Sequence, residues 1–100
     1  LIDHVIEFNY GRAEDRFGRI GHEMGIDMRG MDSSTRRRAL IDEVRRLKHA
    51  AGVISTLSER RVHKADLGDL ARKALADPCV VTNPRRPGAG DLETIYAEAL

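Results

Sequence analysis

The chain has 100 residues, with 17 Lys and Arg against 16 Asp and Glu, giving a formal net charge of +1. That length holds one domain with a modest core, and the near-balance of charge argues against binding to nucleic acid or membranes driven by net charge. A single cysteine excludes an internal disulfide, there is no Cys/His spacing for zinc, and the absence of Trp leaves an aliphatic core.

Residues 1 to 8 carry apolar side chains at 1, 2, 5, 6 and 8, a pattern that predicts the last turns of a helix. Asn9-Tyr10-Gly11 is expected to end it, because Asn and Gly tolerate the left-handed conformation at a helix C-terminus. Ala13 to Met24 reads as an amphipathic helix with Ala13, Phe17, Ile20, Gly21 and Met24 on one face. Gly21 on the apolar side suggests the close approach of another helix, and Gly25 is the stop.

A connector leads to Asp32 or Ser33, the natural N-cap of a third helix that runs to about Ala51 and stops at Gly52. Leu40, Val44, Leu47 and Ala51 form its apolar stripe, with Ile41 on the flank. Arg38 with Asp42, and Asp42 with Arg46, stand at i,i+4 spacing on its polar side. Val53 to Leu57 is an apolar connector too short and isolated for a sheet. Lys64 to Ala76 is the fourth helix, with Leu67, Leu70, Ala71 and Ala74 on one face. Pro78 blocks its continuation. Residues 77 to 85 have no helical period, and a last helix follows over about Ala89 to Ala99, facing inwards through Leu92, Ile95, Tyr96 and Ala99. The fold class is therefore all-α, one compact array of about five helices over residues 1–100.

No apolar run approaches a membrane span, and no basic segment precedes a long apolar one as in a signal peptide. A reducing, cytoplasmic setting is the expectation. The start at Leu1, in mid-pattern and without a Met or a cap, suggests a fragment or a start lost to disorder.

Residues able to carry chemistry are few. His4, His22, His49 and His63 lie far apart, and no two have the spacing of a helical metal-ligand pair. His22 and His49 read as solvated or capping side chains, and His63 likewise. His4, one turn from Phe8, is open to a buried or a site-lining reading. The Arg36-Arg37-Arg38, Arg45-Arg46-Lys48, Arg60-Arg61 and Arg85-Arg86 clusters would suit phosphate, but acids are interleaved on the third helix and no aromatics stand ready to stack bases. Cys79 is open to three readings: a buried small hydrophobe, a pocket wall or a nucleophile. Gly88-Ala89-Gly90 lacks the strand and third glycine of a dinucleotide fingerprint.

Four segments carry a resemblance. Residues 1–9, Leu-Ile-Asp-His-Val-Ile-Glu-Phe-Asn, are similar to a helix end reading Leu-Leu-Pro-His-Val-Met-x-Phe-Asn. Phe17 to Gly25 and Ile41 to Val53 match two further helices. Asp77 to Arg85 matches Asp-x-Cys-x-x-x-Asn-Pro-Arg, and Asn83-Pro84-Arg85 is the most specific element. In order and over essentially the whole chain, these resemble the C-terminal helical region of iron-containing (group III) alcohol dehydrogenases, whose fold is shared with the dehydroquinate synthase-like enzymes.

The resemblance implies a larger two-domain enzyme, with an N-terminal domain that binds NAD(P) and a helical domain that binds Fe2+ or Zn2+ through an Asp and three His. The metal would polarise the alcohol oxygen for hydride transfer. It also implies that those ligands lie upstream of Leu1, so this chain holds no metal ligand, no catalytic residue and no cofactor of its own. His4 matches a family histidine that is not a ligand. Cys79 and His4 are expected to line the substrate cleft, and Asn83, Pro84 and Arg85 to fix the loop that carries Cys79. Asp3 stands where the family usually has Pro, and Gly88 where it usually has Thr or Ser. The expected partners are the N-terminal nucleotide-binding domain and, for the isolated chain, a second copy through the face of residues 1–8 and the 77–85 loop. The chain alone is expected to be inactive. The rival reading is a stand-alone helical interaction module that binds nucleic acid through its arginines.

Overall fold

A computed structural model describes residues 1–100. Five α-helices account for the regular structure: α1 (Ile2–Asn9), α2 (Glu14–Glu23), α3 (Ser33–Ala50), α4 (Leu67–Leu75) and α5 (Ala89–Glu98). There are no strands, and no helix is long and apolar enough to cross a membrane.

The helix boundaries follow local chemistry. Asp32 is the N-cap of α3, its Oδ1 accepting the Thr35 N–H at 2.7 Å. Gly25 (φ +85°) and Gly52 (φ +74°) end α2 and α3 in the left-handed conformation that glycine adopts without a Cβ clash. At α5 the Asp91 carboxylate accepts the Gly88 N–H at 2.8 Å, so the first turn is closed without a hydroxyl at residue 88.

The end of α1 departs from expectation. Asn9 keeps right-handed geometry (φ −84°), and the chain continues into a 3-10 turn over Tyr10–Arg12. Tertiary packing is the reason: Tyr10 is buried and stacks on Phe17 with ring centroids 5.6 Å apart, while the Asn9 side chain is engaged elsewhere. The fourth helix also begins later than its periodicity suggests. Lys64–Asp66 is a 3-10 turn, held by the Asp66 carboxylate accepting the His63 N–H at 2.8 Å. Residues 77–85, expected to be irregular, contain a 3-10 turn over Pro78–Thr82.

The core is small. Leu40, Ile41, Tyr10, Leu67, Ala71 and Ile95 are its buried apolar side chains. The most extensive packing is between α4 and α5, and α1 joins that pair to α3. The faces expected on α4 and α5 are the ones that turn inwards. On α3 the stripe holds only in part: Leu40 and Ile41 are buried, but Leu47 is 46% exposed and Ala51 is exposed. Those last two side chains stay uncovered, although Arg45 and Lys48 of the same turns reach Asp3 on α1. Gly21 is buried as expected, but what approaches it is the Met28 side chain from the connector, not another helix. The i,i+4 pairs expected on α3 do not form. Arg46 pairs with Glu43 at i,i+3, and Arg37 and Arg45 reach across to Glu7 and Asp3 on α1.

Candidate functional site

The 77–85 loop is set against the end of α1. Asp77 begins it by accepting the Cys79 N–H at 2.7 Å, with Pro78 in the first turn where no N–H is needed. The Thr82 hydroxyl donates to the Cys79 carbonyl at 3.1 Å. These bonds shape the turn but do not place it. Placement comes from Asn83, whose side-chain amide pairs reciprocally with that of Asn9. Asn9 Nδ2 donates to Asn83 Oδ1 at 2.9 Å, and Asn83 Nδ2 donates to Asn9 Oδ1 at 2.8 Å. Asn83 Nδ2 also donates to the Arg85 carbonyl, and the Arg85 N–H donates to Asn9 Oδ1 at 3.3 Å. The Arg85 guanidinium lies 4.0 Å from the centre of the Phe8 ring and 3.5 Å from Asp91. The expected loop motif is thus a docking turn, and its counterpart is Phe8-Asn9.

Beneath the loop is an apolar hollow of about 500 Å³ between α1, α4, α5 and the Pro78–Thr82 turn. Val5, Phe8, Leu70, Cys79, Val80 and Ile95 are among its walls, and Lys73 and Asp77 stand among the few polar groups. Cys79 is exposed and borders this hollow, so of its three readings the buried one does not hold. A hydrogen bond and the negative charge of Asp77 push its thiol above the ordinary range. That keeps the thiol protonated at neutral pH, which suits a wall better than a nucleophile.

His4 borders a different space. It lines a polar groove of about 580 Å³ with Glu7, Arg12, Arg37, Arg85 and Glu98. Its Nδ1 is 3.8 Å from Glu98 and its Nε2 3.8 Å from Asp3, and its side chain is 16% exposed. The two expected cleft residues therefore lie on separate depressions, with Phe8 and Ile95 common to both. A larger hollow, about 1320 Å³, shares no lining residue with either. It lies along α2, the connector and the start of α3, where charges of both signs alternate.

Two residues that sequence reasoning treated as incidental are structural pivots. Asn9 is 4% exposed and fully bonded. Asp3 is 3% exposed and accepts from Lys48 Nζ at 2.6 Å and Arg45 Nε at 3.1 Å. Burial pushes the Asp3 carboxyl up, but these bonds outweigh it and hold the group well below the usual carboxylate range. Asn9 closes the matched stretch of residues 1–9 and Asp3 departs from it, but no local pattern shows what either binds, since their partners are 42 to 76 positions away. His22, His49 and His63 are exposed. No group of three or more His, Cys, Asp or Glu is arranged to hold a metal ion, so the residues present do not fit a resident metal.

Comparison with known proteins gives consistent matches. The family described as "Fe-containing alcohol dehydrogenase family, C-terminal" matches residues 1–100. Lactaldehyde reductase of Escherichia coli K12 is 30% identical over 99 residues, covering 99% of this chain and 26% of that protein. The NAD-dependent methanol dehydrogenase of Bacillus methanolicus is 29% identical over 97 residues, covering 97% of this chain and 26% of that one. A crystal structure of a 1,3-propanediol oxidoreductase superposes with a TM-score of 0.93 at 24% identity, over 99% of this chain and 26% of that one. The chain thus spans about a quarter of the length of the curated relatives it matches.

Proposed function

The chain belongs to the Fe-containing alcohol dehydrogenase family, as its C-terminal part, and from that premise we propose that it forms one wall of the cleft of a metal-dependent, NAD(P)-linked alcohol oxidoreductase. The observation that carries this reading is the match over all 100 residues. Cys79 and His4 line the cleft from this side, and Asn83-Pro84-Arg85 holds the loop that presents Cys79. Fe2+ or Zn2+ and NAD(P) are bound by other segments, which include the nucleotide-binding domain as the principal partner. The setting is cytoplasmic.

By itself the chain is inactive, because it brings no group of residues arranged to hold the metal that the reaction needs. Leu1 just before α1 and Ile2 and Val5 on it are 40%, 58% and 39% exposed, and Val81 on the loop is 87% exposed. In the isolated chain these surfaces drive self-association. Nucleic-acid binding is disfavoured because many arginines already hold acids, Arg37 with Glu7, Arg45 with Asp3 and Arg72 with Asp69 among them.

The test is a chimera in which this chain replaces the matching C-terminal quarter of E. coli lactaldehyde reductase. A folded, metal-loaded chimera should turn over small alcohols with NAD, while the chain alone should not. Turnover by the chain alone, or none by a folded and loaded chimera, would overturn the proposal.

A further inference from the structure

We propose that Asn9 is the positioning residue for the cleft wall, setting the place of the 77–85 loop, and so of Cys79, relative to α1. The functional half of this proposal rests on the reading above; the anchoring half does not.

Every hydrogen bond that ties residues 78–85 to a distant part of the chain ends on Asn9. Its amide uses a donor and an acceptor at once, giving to Asn83 Oδ1 while taking from Asn83 Nδ2 and from the Arg85 N–H. Only a carboxamide supplies both functions in that plane. A carboxylate at residue 9 would set two acceptors against each other. Alanine would leave the Asn83 amide with unfilled bonds at a half-buried site.

The geometry then passes to the hollow. Phe8, next to Asn9, lies under the Arg85 guanidinium, and Val5 and Phe8 form the α1 wall opposite Cys79 and Val80. Neighbouring residues of α1 thus grip Asn83 and Arg85, and the width of the hollow follows from that grip. Apart from the Asn9 bonds, the loop's ties to other elements are side-chain contacts of Arg85, with Phe8 and Asp91, and of the half-buried Val80. Cys79 is exposed and Val81 almost fully so, and the other bonds of the 3-10 turn are internal. Losing Asn9 therefore releases the loop without dissolving its turn.

The chain has one cysteine, and it sits on this loop, so a nitroxide attached to Cys79 reports loop motion directly. The line shape is to be compared in the native chain, Asn9→Ala, Asn9→Asp and Asn83→Ala, with Asp3→Asn as a control that loosens α1 from α3 at the opposite end. The three amide-pair variants should give a sharpened, mobile spectrum, and Asp3→Asn the native one. Asn83→Ala cuts the same pair from the loop side, so the test survives if the Asn9 variants fold poorly. A native line shape in folded Asn9→Ala or Asn83→Ala overturns the anchoring.

In the lactaldehyde reductase chimera, Asn9→Ala should lower kcat/KM by about tenfold to a hundredfold, the range for misplaced positioning groups, mostly through KM and with metal content unchanged. A mobile label with unchanged KM overturns the link to the cleft while the anchoring stands.

Discussion

Replacing Asp3 with Asn tests the electrostatics that join α1 to α3. The carboxylate is 4% exposed in its side chain and accepts from Lys48 at 2.6 Å and Arg45 at 3.1 Å. A hydrogen bond to a charged group contributes about 1.5–3 kcal/mol. Lys48 is only 26% exposed and keeps most of that, whereas Arg45 is half-exposed and its share falls to about 0.5–1 kcal/mol. Asp3→Asn should therefore cost about 2–3 kcal/mol near neutral pH. The sign with pH follows from linkage. The folded carboxyl titrates below its unfolded range, so the stabilisation is complete above about pH 4 and is lost as pH falls towards the folded value. Urea unfolding of both proteins from about pH 7 to about pH 3 should show a gap that is constant at first. The gap should then narrow by up to about 1.4 kcal/mol per pH unit. A gap that stays constant down to the lowest pH would refute the claim that Asp3 is an ionised partner of Lys48 and Arg45.

Three further outcomes are expected. Leu40 is fully buried, and Leu40→Ala should cost about 3 kcal/mol in urea unfolding by transfer and cavity terms together. Two glycines should respond with opposite signs in thermal unfolding, although a Cβ would meet nothing at either. Gly52→Ala should destabilise by about 1 kcal/mol because φ is +74°, and Gly18→Ala in α2 should stabilise by about 0.5–1 kcal/mol through helix propensity. Asp77→Asn should shift the pH profile of Cys79 alkylation to lower pH, since it removes the charge and weakens the hydrogen bond that push the thiol up; an unmoved profile would contradict that cause.

How much was legible in the sequence depended on the range of the interaction. Leu67, Leu70, Ala71 and Ala74 announce α4 because helix burial repeats every few residues, and the same holds for Ile95 on α5. Asp32 and Gly52 announce the ends of α3 because capping is local. Periodicity misled on α3, where Leu47 has the right spacing but no neighbour to cover it. The loop motif was legible as a motif, through the resemblance of Asn83-Pro84-Arg85, but its counterpart was not. Asn9 read as a helix stop, and only the fold shows it holding a residue 74 positions away. Asp3 read as a departure at a position where the family usually has Pro, and its pairing with Lys48 across 45 positions was equally hidden. His4 and Cys79 were grouped by expectation, yet they open on different depressions that meet at Phe8 and Ile95.

These hidden contacts converge on α1. Asp3 and Glu7 reach α3 through Lys48, Arg45 and Arg37, His4 stands between Asp3 and Glu98 of α5, and Phe8-Asn9 grips the loop. Asp3 and Asn9 are six residues apart, about 9 Å along the axis at 1.5 Å per residue. A helix that short moves as one body, so a shift at the Asp3 end carries Phe8-Asn9 and the gripped loop along together and leaves the grip itself intact. A proline at residue 3 would sit in the first turn, where the missing N–H costs little and the fixed φ favours the helix. The aspartate found there exchanges that stiffness for an ion-paired tie to α3. The orientation of α1, and with it the place of the Cys79 loop, thus depends in this chain on a buried charge that an acidic medium can neutralise.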